Sequence, residues 1–470
     1  MRPDTTENKI AFIRKYMKAQ NAATGSDVDQ NANVSNKNIA TMAAELPKKD
    51  IIALNRELMR QKLTSMYGVD LAAQYEKDLA HHIIYKHDET SIFPYCCSIS
   101  LYPFLLDGLT KIGGSSTAPQ HLDSFCGSFI NLIFLVAGQF AGATATPEFL
   151  TYFDHFARKD YGENYIDRLD EVVEFTSRPS TLRDKLEHYF AQVTYTLNQP
   201  AGARGYQSIF WNIAYFDRDY FNSIFKDFVF PDGDEPCWET TKELQKLFMK
   251  WFNAERLKNI LTFPVETVNM HTVDGQYSDS ETADFMAEMW AEGASFFMYQ
   301  SDSVDSLSSC CRLRNGIEDN TFSYTLGAGG IETGSKGVIT LNLNRIVQDW
   351  TRESEEELPL YITAIVNRVH KYLTAFNEII WDSKNAGLLT IFNAGFIDLD
   401  RQYLTIGING FVEGAEYLGI PIDADSAEYQ LYAKDILETI KNLNIAARTD
   451  RCKFNTEFVP AESLGVKNAK

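Results

Sequence analysis

At 470 residues, 44% hydrophobic and 23% charged, with 31 Phe and 23 Tyr, the chain has ample apolar surface for a core, which excludes general disorder. Its 44 Lys and Arg against 64 Asp and Glu leave a net charge of -20, which argues against duplex nucleic acid as a partner. A small phosphorylated ligand remains open to it, because helix N-termini, backbone N–H groups and a few local cations suffice to hold one.

The N-terminus, "MRPDTTENKIAFIRKYMKAQ", reads as a helix without the apolar core of a signal peptide. The longest apolar run, "FINLIFLVAGQFAGA", is short and broken by Gly and Gln, so no membrane span is expected and the protein reads as cytoplasmic. The polar, Asn-rich stretch from Ala19 to Asn38 reads as a loop or ordered arm, which makes 1–40 a helix and arm ahead of one large domain at 41–470. From Ile39 to Leu79 the spacing is helical. "FPYCCSIS" then predicts an extended, buried segment, and after the turn "KIGGSSTAPQ" a buried helix runs from about His121 to Phe140, where it suits a subunit interface.

Further along, "QSIFWNIAYF" and "NILTFPVETVNM" predict buried strands, and "ADFMAEMWAEGASFFMYQ" and "PLYITAIVNRVHKYLTAFNEIIW" predict helices. "GVITLNLNRI" and "YLTIGINGFVEGAEYLG" predict strands that lead into helices. Repeated strand–helix units favour a parallel α/β architecture, a barrel in a single domain. The Gly-rich "TLGAGGIETGSKG" matches neither a P-loop nor a dinucleotide fingerprint.

Two doublets dominate the 7 cysteines, Cys96–Cys97 in "FPYCCSIS" and Cys310–Cys311 in "SSCCRLRN". An odd count in a long intracellular chain argues against a disulfide framework. Adjacent cysteines do not both reach one tetrahedral ion, which sets zinc aside, and none of the 8 His lies in a nucleophile motif. His81 and His82 read as the flank of a helix end. Packing, reversible redox chemistry and radical chemistry remain for the doublets, with packing favoured for Cys126, Cys237 and Cys452.

"QNANVSNKNIAT", "HD" with "FPYCC", "SSCCRLRN", "GVITLNLNRI", "LTIGINGFVEGAEYLG" and "NTEFVPAESLG" occur in an order that resembles the anaerobic class III ribonucleotide reductases over nearly the whole chain. The resemblance implies a ten-stranded α/β barrel of the reductase and glycyl-radical type, incomplete at its C-terminus. It implies that Cys311, the cysteine before Arg312, becomes the thiyl radical that takes hydrogen from the ribose 3′ carbon. Cys96 then matches the second active-site thiol, with Cys97 and Cys310 as alternatives. Glu457 in "NTEF" would donate the proton that lets the 2′ hydroxyl leave as water. Gly407, Asn409 and Gly410 in "GINGF" and Pro460, Ala461, Glu462 and Ser463 in "VPAES" match the loops that hold the substrate phosphates. Ribonucleoside triphosphates as substrates, effector nucleoside triphosphates beside the buried helix, and a homodimer follow from the same resemblance.

The chain departs from that pattern in three places. It starts in the catalytic region, without the family's ATP-binding cone. Ser335 stands where formate-using members carry Asn, which favours a redoxin acting through a Cys96–Cys311 disulfide over formate. It also stops at "GVKNAK", before the zinc-binding cysteines and the R-V-x-G-Y glycyl-radical loop. The expected consequence is that these residues bind no cofactor themselves and are inactive alone. A glycyl radical made by an S-adenosylmethionine and iron–sulfur activase, and zinc, belong outside them, whether on a missing segment or on a separate chain. The readings weighed against this are an inactive nucleotide-binding or assembly subunit and another glycyl-radical enzyme.

Overall fold

The computed structural model describes residues 4–28, 36–174, 179–304, 307–309, 313–315 and 331–458. They divide into two compact units. Unit one comprises Met1–Tyr95, Ser335–Leu388 and Gln402–Lys470, and unit two Cys96–Gly334 and Leu389–Arg401.

The strands that frame both units are β1 (Ile84–Lys86), β2 (Cys97–Ser98), β3 (Thr144–Ala145), β4 (Trp211–Phe216), β5 (Val265–Val273), β6 (Phe297–Ser301), β7 (Ser335–Asn342), β8 (Tyr403–Asn409) and β9 (Lys453–Phe458). In unit one the order is β1, β7, β8, β9, with β1 antiparallel to β7 and the other three parallel. In unit two β2, β3, β4, β5 and β6 are parallel neighbours. The α/β class is therefore as expected; among the described residues these strands make two open sheets, beside two two-stranded ribbons, and no closed sheet is found. Strand–helix alternation is written in local periodicity, whereas closure depends on pairing between strands far apart in sequence, which periodicity does not encode.

Helices cross between the parallel strands of unit one: α1 (Leu343–Glu353) and α2 (Leu358–Asn385) lie between β7 and β8, and α3 (Phe411–Tyr417) and α4 (Ala427–Ala446) between β8 and β9. α2 opens with Pro359 in its first turn, where the missing N–H costs nothing. His370 and Phe376 of α2 meet one face of the sheet. His370 packs on Phe454 at a ring distance of 4.5 Å, and Phe376 covers Gly337 so closely that a Cβ there would sit 2.6 Å from its ring. Gly337 is thus what lets the helix approach.

Lys86 of β1 crosses the same ring. It is 4% exposed, its Nζ stands 4.1 Å over the Phe376 centroid, and its one hydrogen bond, to the His87 carbonyl, is long at 3.5 Å. Burial pushes its pKa down. Replacing it with Met is expected to stabilise the fold by about 1 kcal/mol or more, since a hydrophobe of similar length needs no desolvation. The unfolded chain binds the proton more tightly, so parent stability rises with pH toward the ordinary lysine range and the variant's advantage shrinks there. Denaturant melts at neutral and alkaline pH check both points.

In unit two, Phe125 and Phe129 of α5 (Leu122–Ala137) pack on Phe149 and Phe156 of α6 (Phe149–Tyr161) and on Trp211. The Trp211 indole N–H finds the Thr146 hydroxyl at 2.9 Å, so the ring is buried without an orphaned donor. The helix expected through "ADFMAEMWAEGASFFMYQ" is corrected: it spans Ser280–Ala291, stops just before Gly293, and is followed by β6.

Candidate active site

Residues paired across parallel strands point to the same side. Register Thr405↔Asn455 and Gly407↔Glu457, with Val338↔Thr405 and Thr340↔Gly407, therefore puts Thr340, Thr405, Gly407, Asn455 and Glu457 on one face of the unit-one sheet. The opposite face, with Ile339, Ile406 and Phe454, lies under the helices. The helix side is mostly apolar, with Thr456 accepting from Asn444 of α4 at 2.8 Å, and the other side carries Thr340, Thr405, Asn455 and the Glu457 carboxylate beside Val338.

Ser335 reaches that polar face through an irregularity. Pairing shifts between Ser335 and Gly337, one extra residue in β7 that reverses the alternation. Without the bulge Ser335 would share a face with Gly337, against α2. With it, the fully buried Ser335 hydroxyl lies 2.8 Å from Thr405 Oγ1, and Thr405 Oγ1 donates to Asn455 Oδ1 at 2.8 Å. On the far side of β7, His87 Nε2 lies 2.8 Å from the Thr340 hydroxyl.

Glu457 is half-buried on β9, opposite the side-chain-free Gly407. Asn409 ends β8 and pairs with Asn342, whose amide caps the start of α1 by accepting from the Arg345 N–H at 3.3 Å. Gly410 has φ 70°, and a Cβ on it would lie 2.9 Å from the Asn344 nitrogen, so the left-handed turn and the neighbouring strand–helix turn both require glycine. The "GINGF" glycine thus has a packing reason of its own.

Cys96 and Cys97 belong to unit two, where they are 1% and 0% exposed. The Ala143 N–H donates to Cys96 Sγ at 3.2 Å, and Cys97 Sγ lies 3.9 Å from Thr144 Oγ1. Burial pushes the Cys97 thiol well up, so it keeps its proton at neutral pH. A protonated, buried thiol is a poor nucleophile or metal ligand, both of which need thiolate, but it still has an S–H hydrogen to exchange. Among other buried groups of unit two raised by desolvation, Glu148 is fully buried and has its carboxyl raised to about 8 while accepting the Leu101 N–H at 2.7 Å.

Cys310 and Cys311 lie outside the described residues, as do Pro460, Ala461, Glu462 and Ser463. The strands that flank the second doublet, Leu307–Ser309 and Leu313–Asn315, pair antiparallel, with Ser309 opposite Leu313. The structure thus gathers Ser335, Gly407, Asn409 and Glu457 in one sheet, with Gly410 just past the end of β8, and adds His87 of the "HD" motif together with Thr405, Asn455 and Thr340, which the sequence reading passed over. Period-two alternation in "YLTIGIN" and "KFNTEF" carried the signal for Thr405 and Asn455. Among the described residues no group of three or more His, Cys, Asp or Glu is placed to hold a metal ion, and no helix is long and apolar enough to cross a membrane.

The model of the anaerobic ribonucleoside-triphosphate reductase family matches residues 45–470, a span that contains both cysteine doublets and every strand named above. The chain belongs to that family. Solved structures of anaerobic ribonucleotide reductases have the same fold. The Thermotoga maritima reductase with citrate in its active site is 29% identical, with TM-score 0.79, over 92% of this chain and 76% of that one. The same reductase in complex with dATP and CTP is 30% identical, with TM-score 0.79, over 92% of this chain and 70% of that one. A further anaerobic ribonucleotide reductase is 28% identical, with TM-score 0.83, over 98% of this chain and 71% of that one. No curated protein matches.

Proposed function

We propose that this chain reduces ribonucleoside triphosphates to 2′-deoxyribonucleotides by thiyl-radical chemistry. The family match across both cysteine doublets carries the reading. Cys311, as a thiyl radical, takes the 3′ hydrogen and becomes a thiol. Glu457 then protonates the departing 2′ hydroxyl, which leaves as water. Cys96 and a second thiol, for which Cys310 is the candidate, supply two electrons and two protons and become a disulfide, and Cys311 returns the 3′ hydrogen to carbon and is a thiyl radical again. A redoxin dithiol restores the pair, so ribonucleotide and reduced redoxin give deoxyribonucleotide, water and oxidised redoxin. Ser335 in place of Asn favours this reductant over formate.

A glycyl radical supplies the oxidising equivalent that makes Cys311 a thiyl, and we place it, with its activase and zinc, outside these 470 residues. The barrel completed around the site, a homodimer, and effector nucleotides of the dATP kind seen on the Thermotoga maritima reductase belong to the same proposal. Anaerobic assay of deoxynucleotide formation, with the chain supplied with a radical-loop polypeptide and activase, tests it. Turnover is expected with redoxin, little with formate, and none in Cys311→Ala. Turnover that survives Cys311→Ala would leave an assembly or nucleotide-binding role instead.

A further inference from the structure

The row Ser335, Thr405, Asn455 has a direction. Each hydroxyl has one hydrogen, and Thr405 gives its own to Asn455 Oδ1 at 2.8 Å. The 2.8 Å contact between Ser335 and Thr405 must then be filled by the Ser335 hydrogen, which lies near the Gly337 carbonyl as well, at 3.2 Å. With its carbonyl oxygen held by Thr405, the Asn455 amide has one orientation, and its two N–H donors face away from the row. Among the described residues no acceptor meets them, although the side chain is half-buried. A half-buried amide held this way, with its donors unspent, is preorganised for an acceptor that arrives with a ligand.

The acceptor's place follows from the register. Asn455 and Glu457 are two residues apart on β9 and share the polar face, opposite Thr405 and Gly407. Gly407 puts no side chain between the strands there. A ligand oxygen that Glu457 can protonate is therefore within reach of a donor two residues away. We propose that Asn455 donates a hydrogen bond to the 2′-hydroxyl oxygen of the ribonucleotide, and that Thr405 is the positioning residue that aims it. The inference rests on the function proposed above and adds a residue that tells ribose from deoxyribose. A bound nucleotide without the 2′ oxygen leaves the donor unpaired, which costs affinity.

The test is competitive binding of CTP and dCTP to the full chain, followed with stability by circular dichroism. The parent is expected to prefer CTP by about 5-fold, the worth of one neutral hydrogen bond. Asn455→Leu and Asn455→Asp, which both remove the donor, should bring the ratio to about 1, as should Thr405→Val, with Thr405→Ser restoring it. If CTP binds and the preference survives Asn455→Asp and Thr405→Val in folded protein, the inference is overturned and the reductase reading stands. If the parent binds no CTP, both fail together.

Discussion

Glu457→Gln is expected to slow deoxyribonucleotide formation by about 10²–10⁴-fold, the usual range for a lost general acid, with little change in substrate affinity or in melting temperature. Gln keeps the shape of the side chain and its place on β9, so the strand pairing with Gly407 survives, and only the transferable proton is lost. The split between kcat and KM is the informative readout: a group that acts only as the 2′ hydroxyl leaves lowers kcat and kcat/KM alike. If Glu457 were a solvated strand-end carboxylate, the substitution would leave both within about twofold. Its half-buried position opposite glycine, on the face that carries Ser335 and Asn455, favours the former.

The second large effect is on stability. Asp78, at 2% exposure, lies in the last turn of the helix Val69–Ala80 and accepts from Arg368 Nε at 2.6 Å, Arg368 Nη2 at 3.0 Å, the Tyr372 hydroxyl at 2.9 Å and Gln74 Nε2 at 2.9 Å. Arg368 and Tyr372 lie one turn apart on α2, so this carboxylate ties that helix to the first part of the chain. Asp78→Ala strands a largely buried guanidinium and should cost about 3–5 kcal/mol in denaturant unfolding. The double variant Asp78→Leu, Arg368→Met should recover most of that loss, because replacing both partners removes the desolvation penalty along with the attraction. A double variant as unstable as the single one would mean that shape at the junction, and not charge, sets the cost.

Much of this arrangement can be read from residues alone, for physical reasons that differ by element. The helices at Leu358–Asn385 and Leu122–Ala137 and the strands at Trp211–Phe216 and Tyr403–Asn409 fall where periodicity puts them, because each buries a face or a whole strand that its spacing announces. His81 and His82 do flank a helix end, at Ala80, with His82 in the left-handed region at φ 56°. The burial of Cys96 and Cys97 was likewise legible in "FPYCC". "GASFFMYQ" was misread as helix because its aromatic residues suit a half-covered strand equally well, and only the break at Gly293 separates the two.

The candidate site was half legible. Glu457, Ser335, Gly407, Asn409 and Gly410 came from motif resemblance, and the structure puts all but Gly410, which turns the chain out of β8, in one sheet. What brings Ser335 to the polar face is a single extra residue in β7, and a bulge leaves no mark in hydrophobic pattern when all eight residues of the strand are buried. Thr405 and Asn455 were passed over because a threonine and an asparagine inside parallel strands read singly as fillers. Only register makes them a row.

The claim that matters most is hydrogen abstraction by Cys311 from the ribose 3′ carbon, and 3′-tritiated CTP tests it directly. With the chain supplied with its radical source under anaerobic conditions, the account predicts a tritium isotope effect on turnover that disappears, together with all deoxynucleotide formation, in Cys311→Ala. Deoxynucleotide formed from the 3′-tritiated substrate without discrimination against tritium, or formed by the alanine variant, would contradict it.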